Sequence, residues 1–379
     1  MQSYYTEPSN RYGELYASYA HSFRDIAFEI DANPQNILNY THLPAIQFIV
    51  SDCNSSTLQR TQYLEALGYG DAGVLLASPG PSLSGLMLRE LGLPEQIDYF
   101  YKIIKEKNMR TFFALTEPEK GSDANHIQTR LIIDNNKNNF FSLTGTKSFF
   151  GNGAVADTGI VLARLSDGPA GIRAIWLTPD LMQQHSIEKN TLPMFALRGA
   201  QIALIKFNQT SIPREFILGN HLSTCENGLL GIAKVFNRLR TGVGALAIGQ
   251  AQAVFDLIFL LKQKNLGSLK SLFSYMSLQL LSARKMLHDA AMTIDSNACA
   301  SYSPSLAKSN ATYIAEKIIT TCIDLCTMDE LLSSPWLIKS YRDVFCWEFM
   351  EGSTPIQKRI ISGNLNQIVK KIKQNECIL

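Results

Sequence analysis

The chain has 379 residues, 46% hydrophobic and 18% charged, with a formal net charge of +2. That length predicts two or three structural units rather than one small core, and the near-neutral balance announces neither a nucleic-acid groove nor a funnel for acidic ligands. No uninterrupted apolar run reaches the ~18 residues of a membrane span, so no membrane partner is expected, and the polar start MQSYYTEPSNRYGELY lacks the apolar core of a secretory signal, which points to the cytoplasm.

Between about residues 11 and 110 the apolar spacing is helical. LYASYAHSFRDIAFEI carries apolar residues three and four apart, and QRTQYLEALGYG reads as a helix ending in a glycine-rich stop. LGLPEQIDYFYKIIKEK reads as a turn into a further helix, with Pro94 in its first turn and Glu95 near the positive end of its dipole.

From about 111 to 222 the pattern becomes β-rich. TRLIIDNNKNNFFSLTGTKSFF predicts a hairpin turning at Asp134 to Asn139, and DTGIVLARL, IRAIWLTP and IALIKFNQTSIP are further strands. Helices return from about 223 in GLLGIAKVFNRLRTGVGALAIGQAQAVFDLIFLLKQK, LKSLFSYMSLQLLSARKMLHDAAMTID and AKSNATYIAEKIITTCIDLC, with the apolar character of buried bundle helices. Segregation of helices and strands predicts an α+β fold with units at 1–111, 112–222 and 223–379.

Seven scattered cysteines form no CxxC pair, the six histidines are isolated, and no metal site is expected. Two short stretches invite chemistry. In FFALTEPEKGSD an apolar strand opens into a polar turn of Thr116, Glu117, Pro118, Gly121 and Ser122, whose N–H groups and hydroxyls suit a phosphate or the polar edge of a ring, or an ordinary loop. In FMEGSTPIQ the carboxylate of Glu351 sits between an apolar pair and a Gly-Ser-Thr-Pro turn. It reads either as a surface charge near a helix N-terminus or as a base.

FFALTEPEKGSD resembles the TEPxxGSD signature of the acyl-CoA dehydrogenase family. GTKSFFGNGAVADTGIVLARL, ALRGAQIALIKFNQTSIPREFILG, RLRTGVGALAIGQAQAVFDL and YRDVFCWEFMEGSTPIQKRIISGNL resemble the segments that follow it in that family, in order, over roughly residues 55–365. The resemblance implies an N-terminal helical domain, a central β-domain and a C-terminal four-helix bundle, with FAD between the β-domain and the bundle. It also implies α,β-dehydrogenation of an acyl thioester carried by CoA or an acyl carrier protein, with an electron-transfer flavoprotein as a possible partner and a homodimer or homotetramer as the assembly.

Glu351 matches the family's catalytic base, since the alternative position on the bundle helix is Leu239. The Glu351 backbone N–H then contributes to an oxyanion hole, with Phe349, Met350 and Gly352 as dry or small surroundings. Thr116 matches the threonine on the flavin pyrimidine, beside Ala114 and Leu115; Ser122 matches the serine near the pyrophosphate and the acyl-thioester passage. Phe149 takes the place of the aromatic on the flavin face, Ser353 that of a threonine near the adenosine phosphates, and Gly352 and Arg240 those of substrate-side residues, Arg240 being equally readable as structural.

Gly151 stands where the family has a hydroxyl at flavin N5. The R…FG segment is replaced by KQKNLGSLKSLF, with Lys264 and Gly267, and the Q…GGxG turn by DLCTMDEL, with Thr327, Met328 and Glu330. Those changes put the shared FAD site across a dimer in question and suit a specialised carrier-protein substrate of secondary metabolism. The alternatives are a flavin-dependent oxidase or monooxygenase on the same fold, or a flavin-free binding protein derived from it.

Overall fold

A computed structural model describes residues 4–376 except 122, 135–136 and 224–225. Six helices come first: α1 (Pro8–Tyr12), α2 (Glu14–Ala32), α3 (Pro44–Ser51), α4 (Thr57–Ala77), α5 (Ser82–Leu91) and α6 (Pro94–Lys107). Strands follow as β1 (Thr111–Ala114), β2 (Arg130–Ile133), β3 (Phe140–Phe150), β4 (Thr158–Arg164), β5 (Ile172–Leu177), β6 (Ile187–Thr191) and β7 (Ala203–Pro213). The chain closes with α7 (Gly231–Lys262), α8 (Lys270–Ser296), α9 (Tyr302–Asp324), α10 (Met328–Ser333), α11 (Pro335–Val344) and α12 (Thr354–Glu376). The α+β order read from the sequence is the order of the structure.

In space the chain forms two compact units: one drawn from Met1–Arg24, Ser55–Ala72 and Phe236–Leu379, the other from Asp25–Asn54 and Gly73–Val235. One boundary falls inside α4, where Asp71 leaves helical geometry (φ −163°, ψ 118°). The glycine-rich stop expected there is therefore a break, after which helix resumes to Ala77. The glycines serve close packing: a Cβ on Gly68 would lie 2.6 Å from the Leu246 carbonyl oxygen, and one on Gly70 would lie 2.4 Å from that of Ala20. Asp71 itself is buried, accepting from Lys339 Nζ at 2.7 and 3.0 Å and from Trp336 Nε1 at 3.2 Å.

In the sheet-bearing unit the strand order is β1-β4-β2-β3-β7-β6, with β5 on β4. The predicted hairpin is β2–β3, antiparallel from Arg130↔Thr144 to Ile133↔Phe141; Asn135 and Asn136 of its turn lie outside the described residues. Strand β6, IEKNT, was not anticipated, because its polar residues give no strand pattern. It is an edge strand, and edge strands carry charge to deter further pairing. Alternation along β3, β5 and β7 turns Leu143, Ile175, Ile205 and Phe207 into a common core with Phe112 and Phe150. The register of β3 on β7 shifts between Ser148 and Phe150, a bulge that re-aims the intervening residue, Phe149.

In the helical unit, α8 buries Phe273, Met276, Leu280, Ala283, Leu287, Ala290, Ala291 and Ile294, the three- and four-residue spacing of one helix face. The helical stretch Glu226–Lys262 is long and apolar enough to cross a membrane by length and composition alone, although polar residues interrupt its apolar run. Most of it, 89% of its most apolar window, is buried inside the protein, as a core helix would be.

Candidate functional site

In the sheet-bearing unit the candidate feature is the turn after β1. Ala114, at the strand end, is buried, and Leu115 and Thr116 are half-buried. Glu117 and Lys120 close the turn by reciprocal backbone bonds of 3.3 and 3.1 Å around Pro118 and Glu119. What fixes its approach is the Glu117 side chain, which points inward rather than to solvent. Its Oε1 accepts from Lys147 Nζ at 2.8 Å, Thr129 N at 2.8 Å and Thr129 Oγ1 at 2.6 Å, and its Oε2 from Gln128 N. Lys147 also donates to the Leu115 carbonyl at 2.8 Å.

Burial works to raise the Glu117 carboxyl, but the Lys147 ammonium and the surrounding donors outweigh it and hold the group below the usual carboxylate range. Burial pushes Lys147 down to about 8 against the pull of Glu117. The one signal of this pair in the sequence is a lysine within the otherwise uncharged strand β3.

Ser148 N donates to the Thr116 carbonyl at 3.0 Å, so β3 runs alongside the turn and delivers Phe149 next to it. Phe149 is 62% exposed and adopts φ +58°, a left-handed conformation that an aromatic residue rarely takes. Ser148 Oγ is buried with no hydrogen-bond partner among the described residues. An open aromatic face beside a half-buried threonine at one turn fits a planar heteroaromatic ring such as a flavin. Gly151 is half-buried, and a Cβ there would meet the Ala200 carbonyl at 3.2 Å. Ser122 lies outside the described residues.

In the helical unit the candidate feature is the irregular stretch between α11 and α12. Glu351 takes φ +52° and Gly352 φ +95°, a paired left-handed turn whose second position needs glycine. Gln357, fully buried, donates from Nε2 to the carbonyls of Glu351 (3.0 Å) and Gly352 (2.9 Å). Lys308 of α9, also fully buried, donates to the carbonyls of Glu348 (2.7 Å) and Gly352 (3.0 Å).

Part of Glu351 is accessible, but its Oε2 is out of reach of water and meets no donor among the described residues. Desolvation raises this carboxyl to about 7, against the positive charges of Arg240 and Lys308. The expected apolar enclosure is corrected: Phe349 is 70% exposed, so it does not dry the carboxylate.

Arg240 is buried with Nη1 donating to Asn237 Oδ1 at 2.7 Å and Nε without a partner among the described residues. Burial lowers it to about 10, with Glu351 opposing. Ser353 is half-buried, its carbonyl accepting from Gln357 N at 3.0 Å. In the DLCTMDEL segment, Thr327 and Glu330 form a capping box that starts α10, and Glu330 pairs with Lys262 at 2.6 Å. Glu330 thus serves the helix end there. No group of His, Cys, Asp or Glu suited to a metal occurs among the described residues.

The order of helices, β-rich middle and helices, together with the family matches that follow, makes this a flavoprotein oxidoreductase. The chain belongs to the acyl-CoA dehydrogenase family: the model for the acyl-CoA dehydrogenase middle domain matches residues 112–210 and that for the C-terminal domain residues 226–365. FAD is its cofactor, and flavin-dependent oxidoreduction of acyl-CoA thioesters is the chemistry of the family.

The chain is 28% identical over 308 residues (78% of each chain) to the caffeyl-CoA reductase–Etf complex subunit CarC of Acetobacterium woodii. It is 26% identical over 307 residues (78% of this chain, 79% of the other) to a 3-(aryl)acrylate reductase of Clostridium sporogenes. Its fold superposes on butyryl-CoA dehydrogenase from Megasphaera elsdenii with a TM-score of 0.79 at 21% identity, covering 96% of this chain and 100% of that one.

Proposed function

We propose that the protein interconverts a saturated acyl thioester and its 2,3-unsaturated partner, with Glu351 as the α-proton base. The observation that carries this reading is the Glu351 carboxyl: buried at Oε2, without a donor, and raised to about 7. A general base poised near the working pH is the requirement of carbon-acid chemistry. The left-handed turn fixes the backbone at Glu351, and the family resemblance implies that its N–H would polarise the thioester oxygen, an arrangement that acidifies the α-carbon. By the family resemblance, Thr116, Ala114, Leu115 and Phe149 would hold and flank the flavin ring, with Ser122, Gly151 and Ser353 as the further cofactor residues it implies and Ser122, Arg240 and Gly352 as the substrate-side ones. FAD supplies the acceptor for the β-hydride.

The carrier of the acyl group is CoA in this reading, with an acyl carrier protein as the specialised variant, and an electron-transfer flavoprotein is the redox partner, as in the complex named for the Acetobacterium relative. A second reading runs the same step backward. The reductases among the relatives favour it, and Glu351 would then return its proton to the α-carbon of an unsaturated thioester.

Anaerobic mixing of the holoenzyme with a panel of saturated CoA and carrier-protein thioesters tests the reading. Bleaching of the flavin band supports dehydrogenation; reoxidation of the reduced enzyme by 2-enoyl or aryl-acryloyl thioesters alone supports the reverse direction. Bleaching by Glu351→Gln at the wild-type rate removes Glu351 as the base.

A further inference from the structure

Lys308 is a charged side chain with no exposed surface, set within the apolar stripe of α9 among Pro304, Ala307, Ala311 and Ala315. A lysine there is expensive to desolvate, and no carboxylate bonds it directly among the described residues. Its ammonium donates to two backbone carbonyls, those of Glu348 at 2.7 Å and Gly352 at 3.0 Å. These carbonyls bracket Glu351 in sequence, so one cation ties down both sides of the turn that carries it. The turn needs tying: Glu351 at φ +52° is a strained position for a residue with a Cβ. Gln357 secures the carbonyls of Glu351 and Gly352 with neutral donors, so donor capacity alone does not explain why a cation is buried beside them.

We propose that Lys308 is the positioning residue for Glu351: it staples the left-handed turn and supplies a buried positive charge that sets how readily the Glu351 carboxyl releases its proton. The inference rests on the reading of Glu351 as the base. The groups facing Lys308 are Glu351 and Glu348 from the turn and Arg240 from α7. Burial pushes Lys308 down to about 8, the two glutamates oppose this and Arg240 adds to it. A protonated Lys308 favours the ionised form of Glu351, opposing the burial that raises it.

Three variants separate the roles. Lys308→Gln keeps N–H donors and removes the charge, Lys308→Met removes both, and Glu351→Gln identifies the carboxyl band. The first readout is isotope-edited infrared titration of the Glu351 carboxyl in oxidised, substrate-free holoenzyme; the second is the pH profile of anaerobic flavin reduction.

In Lys308→Gln the ionisation midpoint moves up by about one pH unit, and flavin reduction below the midpoint slows about tenfold. Lys308→Met shows the same shift with a larger loss of rate. An unshifted midpoint and an unshifted acid limb in Lys308→Gln, whatever the melting temperature, overturn the proposal and leave Lys308 as a packing residue. Should Lys308→Met not fold, Lys308→Gln decides alone. Full activity of Glu351→Gln would remove the base reading, yet the infrared titration would still report whether Lys308 controls the carboxyl.

Discussion

Lys147 and Glu117 form an ion pair at 2.8 Å in which the lysine side chain is fully buried and the carboxylate is 4% exposed. The pair links the turn after β1 to β3, and the lysine also carries the Leu115 carbonyl. Removing one partner of such a pair leaves the other charge buried and uncompensated. Lys147→Met is therefore expected to destabilise the protein by about 3–5 kcal/mol. A urea unfolding midpoint reads the loss directly. A change below about 1 kcal/mol would mean that water or another donor replaces the lysine.

The raised Glu351 carboxyl predicts a pH-dependent rate. Below about 7 the group keeps its proton and cannot act as a base, so flavin reduction by a saturated thioester rises as pH increases through about 7. Stability moves the other way. Between the ordinary value of 4.5 and about 7, the folded protein retains a proton that the unfolded chain releases, so stability falls as pH rises across that window. Glu351→Gln abolishes flavin reduction and flattens this part of the stability profile. Urea midpoints of both proteins at pH 5 and pH 8 check the second point; equal pH dependence in the two contradicts it.

Phe149 is placed by a register shift in β3, is largely exposed and is held at φ +58°. Left-handed backbone costs a residue with a Cβ about 1–2 kcal/mol, and glycine there gives back about 0.5–1 kcal/mol through the unfolded chain. Phe149→Gly should accordingly leave the stability of the flavin-free protein within about 1 kcal/mol of wild type while weakening flavin retention. Thermal melts of apoprotein, paired with release of flavin fluorescence from holoprotein, distinguish this from a packing role, which would lower the melt in both forms.

Periodicity made the helices and long strands legible, because α8 buries one consistent face and β7 alternates buried with less buried positions. Where a polar or glycine residue served packing, the local pattern misled. IEKNT is β6 only because β7 offers it a ladder, and the Gly-rich end of QRTQYLEALGYG marks a close approach and a break at Asp71 rather than a stop. Glu330, noted only as a replacement in the Q…GGxG turn, is a capping residue paired with Lys262; its Thr327-x-x-Glu330 spacing is a capping box that was legible in the sequence. The candidate site divides similarly. Glu351 and the turn at Thr116 were found by motif, whereas Lys308, Gln357 and the Lys147–Glu117 pair act through backbone carbonyls and burial, which appear only once the chain is folded.

Gly249 supplies a last test, of the helical unit itself. Replacing glycine by alanine inside a helix ordinarily gains about 0.5–1 kcal/mol, since alanine loses less backbone freedom. In α7 the outcome reverses. A Cβ on Gly249 would sit 2.0 Å from the Glu65 carbonyl oxygen and 2.8 Å from the Tyr69 nitrogen, both main-chain atoms of α4 that no rotamer change can move aside. Relief requires α4 and α7 to separate, and Gly68 of α4, whose own Cβ would strike the Leu246 carbonyl at 2.6 Å, shows the contact is tight from both sides. Overpacking of this kind costs about 1–3 kcal/mol. Gly249→Ala is expected to lower the urea midpoint by that amount, and a stabilised variant would show that the two helices do not approach so closely.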